Sequence, residues 1–150
     1  MQYKNTLKLQ APVTSDEFVE YYNLRWRVLR EPWNMPPGTE RDEIEESSIH
    51  RMLVDKPIGV VAVGRLHYNS SSQGQIRFMA VHPNCHGRGY GSIILSELEK
   101  IALQGGREEI ILQARDNAVH FYQKNGYSIR EKSYVLFESI QHYLMYKMLD

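Results

Sequence analysis

Between a predicted strand and a predicted helix the chain reads Val81-His82-Pro83-Asn84-Cys85-His86-Gly87-Arg88-Gly89-Tyr90-Gly91-Ser92. Glycines at 87, 89 and 91 let the backbone bend tightly and bring successive N–H groups close to a ligand. The positive end of the helix that follows favours phosphate, and Arg88 adds a side-chain charge. The segment therefore predicts a phosphate cradle; the competing account is a purely structural glycine turn. It is not the dinucleotide fingerprint G-x-G-x-x-G, because counting from Gly87 puts Ser92 in the last position. It is not a Walker A loop either, since no Gly-Lys-Ser or Gly-Lys-Thr follows.

A second concentration of chemistry lies at Glu40, Asp42, Glu43, Glu45 and Glu46, five carboxylates opposed locally by Arg41 alone, a local charge of −4. Such a cluster either attracts a cationic amine, with Glu43 as a candidate general base, or forms a solvated helix face. His142 is the alternative base; its plainer reading is a histidine that hydrogen-bonds locally. Arg25, Arg27 and Arg30 can meet the acidic cluster or line a solvated face. His82, Cys85 and His86 have no matching second cluster, so no metal is expected.

These groups need a scaffold. Thr6 to Leu9 is a candidate first strand, and Ser15 or Asp16 caps a helix carrying Phe18, Tyr22, Leu24, Val28 and Leu29 that ends before Pro32. The Pro-rich stretch Glu31 to Gly38 carries Trp33 and reads as a structured loop, not a boundary. Arg51 to Val54, Ile58 to Tyr68 and Gln75 to His82 read as strands, with Ser70-Ser71-Ser72 in a hairpin loop. Gly91 to Gln104 is helical, with Ile94, Leu98, Ile101 and Ala102 on one face and Gly105-Gly106 as the stop. A strand over Glu109 to Gln113 and a short helix over Asp116 to Lys124 follow, then strands at Tyr127 to Arg130, Tyr134 to Phe137 and Tyr143 to Met148. A strand–helix–strand connection around Gly91 to Gln104 implies one parallel pair, and the hairpins imply antiparallel pairing elsewhere. The expected fold is α/β: a mixed, mostly antiparallel sheet flanked by helices.

The chain of 150 residues carries 18 basic and 18 acidic side chains, a net charge of zero. That length suits one domain over residues 1–150. Balanced charge removes the basic footprint of a general nucleic-acid binder. One cysteine excludes an intrachain disulfide framework. No apolar run approaches the roughly 20 residues that span a bilayer, and the N-terminal residues lack the apolar core of a signal peptide, so the expected location is the cytoplasm.

The glycine segment resembles the pyrophosphate-binding motif of the GNAT acyltransferase superfamily, in which Arg or Gln stands three residues before a Gly-x-Gly or Gly-x-Ala pair. Here it reads His86-Gly87-Arg88-Gly89-Tyr90-Gly91, with His86 in the Arg/Gln position. A second stretch, Arg115-Asp116-Asn117-Ala118-Val119-His120-Phe121-Tyr122-Gln123-Lys124-Asn125-Gly126-Tyr127, is similar to the family's N-x-x-A-x-x-F-Y-x-x-x-G-F/Y, with Arg115 at the Asn position. A less specific likeness to the ElaA-like branch rests on Leu24-Arg25-x-x-Val28-Leu29-Arg30, Gly64-Arg65-Leu66 and Leu112-Gln113-Ala114-Arg115.

The resemblance implies acetyl-CoA as co-substrate. Backbone of Met79, Ala80 and Val81 would meet the pantetheine arm, residues Gly87, Arg88, Gly89, Tyr90, Gly91 and Ser92 the pyrophosphate, and Arg115 and Tyr122 would also contact the cofactor. Acetyl transfer to an amine needs a neutral nucleophile, whereas a lysine-like amine has a pKa of about 10.4. A base must take its proton, and the departing thiolate benefits from receiving one. Tyr122, protonated at neutral pH, matches the tyrosine placed near the thioester sulfur in relatives; otherwise it is a core tyrosine beside Phe121. The expected activity is acetyl transfer to a primary amine of a small molecule or peptide. The competing class is a non-catalytic acyl-CoA-binding regulatory module. No nucleic-acid or membrane partner is implied, and a homodimer is expected only at the family level.

Overall fold

The computed structural model describes residues 6–150. Seven strands run in the sheet order β1-β2-β3-β4-β5-β7-β6, where β1 is Leu7–Gln10, β2 Ile49–Asp55, β3 Gly59–Tyr68, β4 Gln73–Val81, β5 Glu109–Arg115, β6 Ser128–Leu136 and β7 Ile140–Met148. Three α-helices accompany them: α1 Ser15–Leu29, α2 Tyr90–Gln104 and α3 Val119–Lys124. Antiparallel pairing joins β1 to β2, β2 to β3, β5 to β7 and β6 to β7. β4 and β5 pair in parallel, Gln73–Ile76 against Glu109–Leu112, as the intervening helix requires. The chain is thus the mixed, mostly antiparallel α/β fold expected. It divides into two compact units, one running to Leu66 and taking in Phe78–Leu98, the other comprising His67–Arg77 and Glu99–Asp150. Among the described residues no helix is long and apolar enough to cross a membrane.

In the first unit, α1 begins one residue earlier than the expected caps. Thr14, not Ser15 or Asp16, is the N-cap: its hydroxyl accepts from Glu17 N at 3.1 Å, and Glu17 Oε1 accepts from Thr14 N at 3.0 Å. The pattern is a T-x-x-E capping box, which satisfies two otherwise unpaired helix N–H groups reciprocally. Hydrogen bonds from the Thr14 and Val13 amides hold the Glu17 carboxyl below its ordinary range. The helix buries Tyr21, Leu24 and Arg25; Tyr21 and Leu24 share a core with Met52, Val63 and Ala80, onto which Phe18, Tyr22, Val28 and Leu29 pack.

Gly64, in the middle of β3, brings α2 against the strand. A Cβ there would stand 2.6 Å from Ile94 Cγ2 and from Met79 Sδ, and 3.1 Å from Leu98 Cδ1. Ile94 and Leu98 are fully buried, so neither can swing into solvent. The carbonyl of Gly64 also lies 3.1 Å from the Tyr21 hydroxyl, tying helix α1 to the same strand.

That hydroxyl is shared with a buried histidine. Tyr21 Oη stands 2.8 Å from His50 Nδ1, and His50 Nε2 lies 2.7 Å from the carbonyl oxygen of Glu45. A carbonyl only accepts, so Nε2 carries the ring proton and Nδ1 accepts from Tyr21. Burial, chiefly, holds the His50 pKa below its ordinary 6.5, and burial raises that of Tyr21, so both stay neutral at pH 7.

In the second unit, the segments expected at Tyr127 to Arg130 and Tyr134 to Phe137 form one strand, β6, with register breaks between Ile129 and Glu131 and between Lys132 and Val135. The polar run Arg130-Glu131-Lys132-Ser133 conceals this continuity in the sequence. It is tolerated because β6 is an edge strand and almost entirely exposed. The short helix expected from Asp116 starts as a 3-10 turn, Asp116–Ala118, before α3. Tyr127 donates to Glu99 at 2.8 Å, and Lys147 donates to the same carboxylate at 3.0 Å, fastening the end of α2 to β7.

Two outcomes follow from this packing. Gly64→Ala destabilises the protein by about 1–3 kcal/mol, the usual range for overpacking a filled core; equal urea midpoints for variant and parent would contradict the close approach. Because the folded state disfavours protonated His50, its contribution is full above pH 6.5 and is lost as pH falls through the folded pKa. Stability therefore declines from pH 7.5 to 5.5 with a slope that His50→Gln reduces; identical slopes in the two proteins would refute a neutral buried His50.

Candidate active site

The glycine segment is built in steps from β4. His82 N donates to Val61 O at 2.8 Å, and the His82 ring accepts from Asn84 N at 3.1 Å. This caps a 3-10 turn, Pro83–Cys85, in which Cys85 is 1% exposed. His82 and Cys85 thus have structural roles, and among the described residues no group of three or more His, Cys, Asp or Glu is arranged to hold a metal. Gly87 and Gly89 then take φ of +80° and +81°, a region that disfavours any Cβ. A Cβ at either would meet nothing within 4 Å, so the backbone conformation, not crowding, demands glycine and leaves open space beside the amides.

His86, Gly87, Arg88 and Gly89 are exposed, whereas Tyr90 and Gly91 are buried and Ser92 is half-buried where α2 begins. Gly89 O accepts from Ile93 N at 3.2 Å as the helix starts. No acidic residue stands in the first turn of this 15-residue helix, so nothing of opposite charge on the helix neutralises its positive end. Unpaired N–H groups, open space and an exposed guanidinium suit a phosphate-bearing ligand.

Upstream, β4 contains a feature that the sequence did not announce. Phe78 has φ of +58° although it is neither glycine nor asparagine. For a bulky residue such backbone costs about 1–3 kcal/mol and persists only where its surroundings enforce it. Three guanidiniums surround the ring, with Cζ to centroid distances of 4.2 Å for Arg25, 4.9 Å for Arg65 and 5.8 Å for Arg30. A desolvated cation over a ring contributes about 2 kcal/mol. Met79 and Val81, beyond Phe78, are half-buried, and Ala80 is buried.

The acidic cluster proves to be neither free nor a solvated helix face. Arg25 and Arg65 are both 0% exposed. Arg25 donates to Glu45 Oε2 at 2.8 Å, to Glu40 O at 3.0 Å and to the Tyr21 hydroxyl at 3.1 Å. Arg65 donates to Asp42 Oδ1 at 2.7 Å and to Glu45 Oε2 at 3.0 Å. Glu40 is buried beneath Arg41, whose Nε donates to it at 3.0 Å, and accepts from Gly38 N at 2.7 Å. These contacts with Arg41 and backbone N–H groups hold the Glu40 carboxyl below its ordinary range against the opposing effect of burial. Two further cations thus answer a charge of −4, and of the five acids only Glu43 and Glu46 are exposed. Arg27 is exposed, and Arg30 donates to the carbonyls of Thr39 and Leu29. The signal available in sequence was Gly64-Arg65-Leu66: an arginine in the middle of an apolar strand implies a buried carboxylate partner.

In the second unit, Tyr122 on α3 is 7% exposed, its ring 5.0 Å from Phe121 and 5.8 Å from Tyr127. Burial pushes its hydroxyl pKa well above the ordinary 10.0. The hydroxyl has no hydrogen-bond partner among the described residues. Arg115 ends β5, half-buried, and lies in register opposite His142 on β7, so two residues far apart in sequence become cross-strand neighbours. His142 is 4% exposed, with Nδ1 3.1 Å from Ile140 O and its ring stacked on Tyr134 at 4.4 Å.

Residues 18–127 match the Acetyltransferase (GNAT) family. The chain is 32% identical over 143 residues to a Bacillus subtilis (strain 168) protein described as "Uncharacterized N-acetyltransferase YjcF", covering 94% of this chain and 99% of that one. In fold it is similar to Escherichia coli ElaA, with a TM-score of 0.75 at 18% identity, covering 94% of this chain and 99% of that one. It is also similar to an aminoglycoside 6'-N-acetyltransferase complexed with coenzyme A, with a TM-score of 0.77 at 14% identity, covering 94% and 96%. With the family match spanning most of the residues and a relative aligned over nearly its whole length, this chain is an acyltransferase enzyme belonging to the GNAT acetyltransferase family.

Proposed function

We propose that the protein, as a single cytoplasmic acetyltransferase domain, moves an acetyl group from acetyl-CoA to a primary amine of a small molecule or peptide by direct transfer in a ternary complex. The observation that carries the cofactor half of this reading is the exposed glycine loop, with Gly87 and Gly89 at positive φ before a helix start that lacks acidic residues. Its amides suit the pyrophosphate, Arg88 adds charge, and Tyr90, Gly91 and Ser92 supply the first helical turn. By the family resemblance, backbone of Met79, Ala80 and Val81 receives the pantetheine arm, and Arg115 gives a further cofactor contact.

When bound, acetyl-CoA supplies an activated acyl group with a thiolate as leaving group. Tyr122 is suited to donate a proton to that sulfur: burial keeps it protonated, and its hydroxyl proton is not committed to another acceptor among the described residues. The base must remove a proton from the ammonium form of the acceptor. Glu43 and His142 are the two groups proposed. The Ile140 carbonyl beside His142 Nδ1 favours the tautomer with the proton there, which leaves Nε2 as the basic nitrogen.

The deciding experiment measures thiol release from acetyl-CoA across polyamines, aminoglycosides, amino acids and peptides, with calorimetric binding alongside. Release with at least one amine supports the enzyme; binding without release from any of them assigns a regulatory module, and no binding of acetyl-CoA or CoA removes the reading. Gly89→Val forces a β-branched residue into positive φ and weakens acetyl-CoA binding about tenfold; unchanged affinity would detach the loop from the cofactor. Tyr122→Phe lowers kcat by roughly 10²-fold, the lower end for a lost general acid, with little change in acetyl-CoA affinity. Unaltered turnover would remove Tyr122 from the mechanism.

A further inference from the structure

We propose that Arg25 and Arg65 act as positioning residues for acetyl-CoA, by clamping the Phe78 ring so that β4 keeps its left-handed turn immediately before Met79–Val81. The inference rests on the acetyltransferase reading above for its functional consequence, and on geometry alone for the clamp.

A bulky side chain at φ of +58° returns to the extended region unless something opposes it. Here the opposing force acts on the ring. Its electron-rich faces attract guanidinium groups, and the Cζ atoms of Arg25 and Arg65 lie 4.2 Å and 4.9 Å from its centroid. Neither cation can follow the ring if it moves. Arg25 is fastened by Glu45, by the Glu40 carbonyl and by the Tyr21 hydroxyl, and Arg65 by Asp42 and Glu45. Fixed cations fix the ring, and the ring fixes the direction of the Cα–Cβ bond and hence the backbone at residue 78. Four residues further on, His82 N donates to Val61 O at 2.8 Å. Met79, Ala80 and Val81, the proposed pantetheine contacts, are thereby held between two anchors. The buried ion network thus has a task beyond stability: it sets the path of the strand that presents backbone groups to the cofactor.

The test exploits the fact that glycine accepts positive φ without a clamp whereas leucine does not. Phe78→Leu keeps most of the buried volume, loses the ring and retains the strain; Phe78→Gly loses all the volume and the strain together. If the clamp sets the strand, amide hydrogen exchange at residues 79–81 is about tenfold faster in Phe78→Leu than in the parent, with Phe78→Gly closer to the parent. Acetyl-CoA affinity by calorimetry follows the same order: parent, then glycine, then leucine. Simple packing predicts the reverse, because glycine leaves the larger cavity, and that reversed order, or equal exchange in the two variants, overturns the proposal. Should either Phe78 variant lose its circular-dichroism spectrum, Arg25→Lys keeps the charge but not the planar group. It then speeds exchange at 79–81 about threefold, and an unchanged rate overturns the clamp. Should the parent bind no acetyl-CoA while the exchange order holds, the clamp stands, and its role in positioning acetyl-CoA falls with the acetyltransferase reading.

Discussion

Two guanidiniums taken wholly out of water and sharing the Oε2 atom of Glu45 are the constraint around which the first unit is organised. Burying such charges costs several kcal/mol each unless geometry and further hydrogen bonds repay it. The chain meets that demand from three places. Asp42 and Glu45 come from the segment after the Pro-rich loop, the Glu40 carbonyl from the same segment, the Tyr21 hydroxyl from α1, and the aromatic face of Phe78 from β4. His50 closes the arrangement by contacting both Tyr21 and the Glu45 carbonyl. The loop between α1 and β2 is consequently held by charge and hydrogen bonding, with Trp26 Nε1 on Met35 O at 2.8 Å fixing its proline-rich portion.

The glycine loop is governed by different physics. Nothing in it depends on a buried charge: it is an exposed backbone whose two positive-φ glycines leave space beside the amides. Its position depends on Gly64, because only a residue without a side chain lets Ile94 and Leu98 of α2 reach β3. Two glycines supply conformation and a third supplies proximity. Tyr122 belongs to a third regime, in which desolvation alone keeps an acid in its protonated form.

Much of this was legible beforehand, for reasons that can be stated residue by residue. The loop was readable because glycine at positions 87 and 89 has a local conformational meaning that needs no tertiary information. The element order was readable because periodicity such as that of Ile94, Leu98 and Ala102 is a property of short windows. The acidic run was misleading for the opposite reason. Of its partners, Arg25 was among the arginines expected to meet it, but Arg65, 20 residues beyond Glu45, was not, and a local count of charge leaves both out. Phe78 lies within the stretch Gln75 to His82 that reads as a strand, but its left-handed backbone, clamped by those distant cations, leaves no local trace. The continuity of β6 was hidden because its polar centre is permitted by an edge position that only the assembled sheet defines.

That edge has a colloidal consequence. A terminal strand nine residues long offers a row of backbone groups to any extended segment of another molecule. In β6 the two register breaks interrupt that row, and Arg130, Glu131 and Lys132 bring charge to the interval between them. An incoming strand would have to match both irregularities and accommodate the charges, which a flat hydrophobic segment cannot do. The same bulges that obscure β6 in the sequence therefore make it a poor template for amyloid-like growth, protecting the protein where Tyr134 and Val135 leave apolar surface exposed beside an open sheet margin.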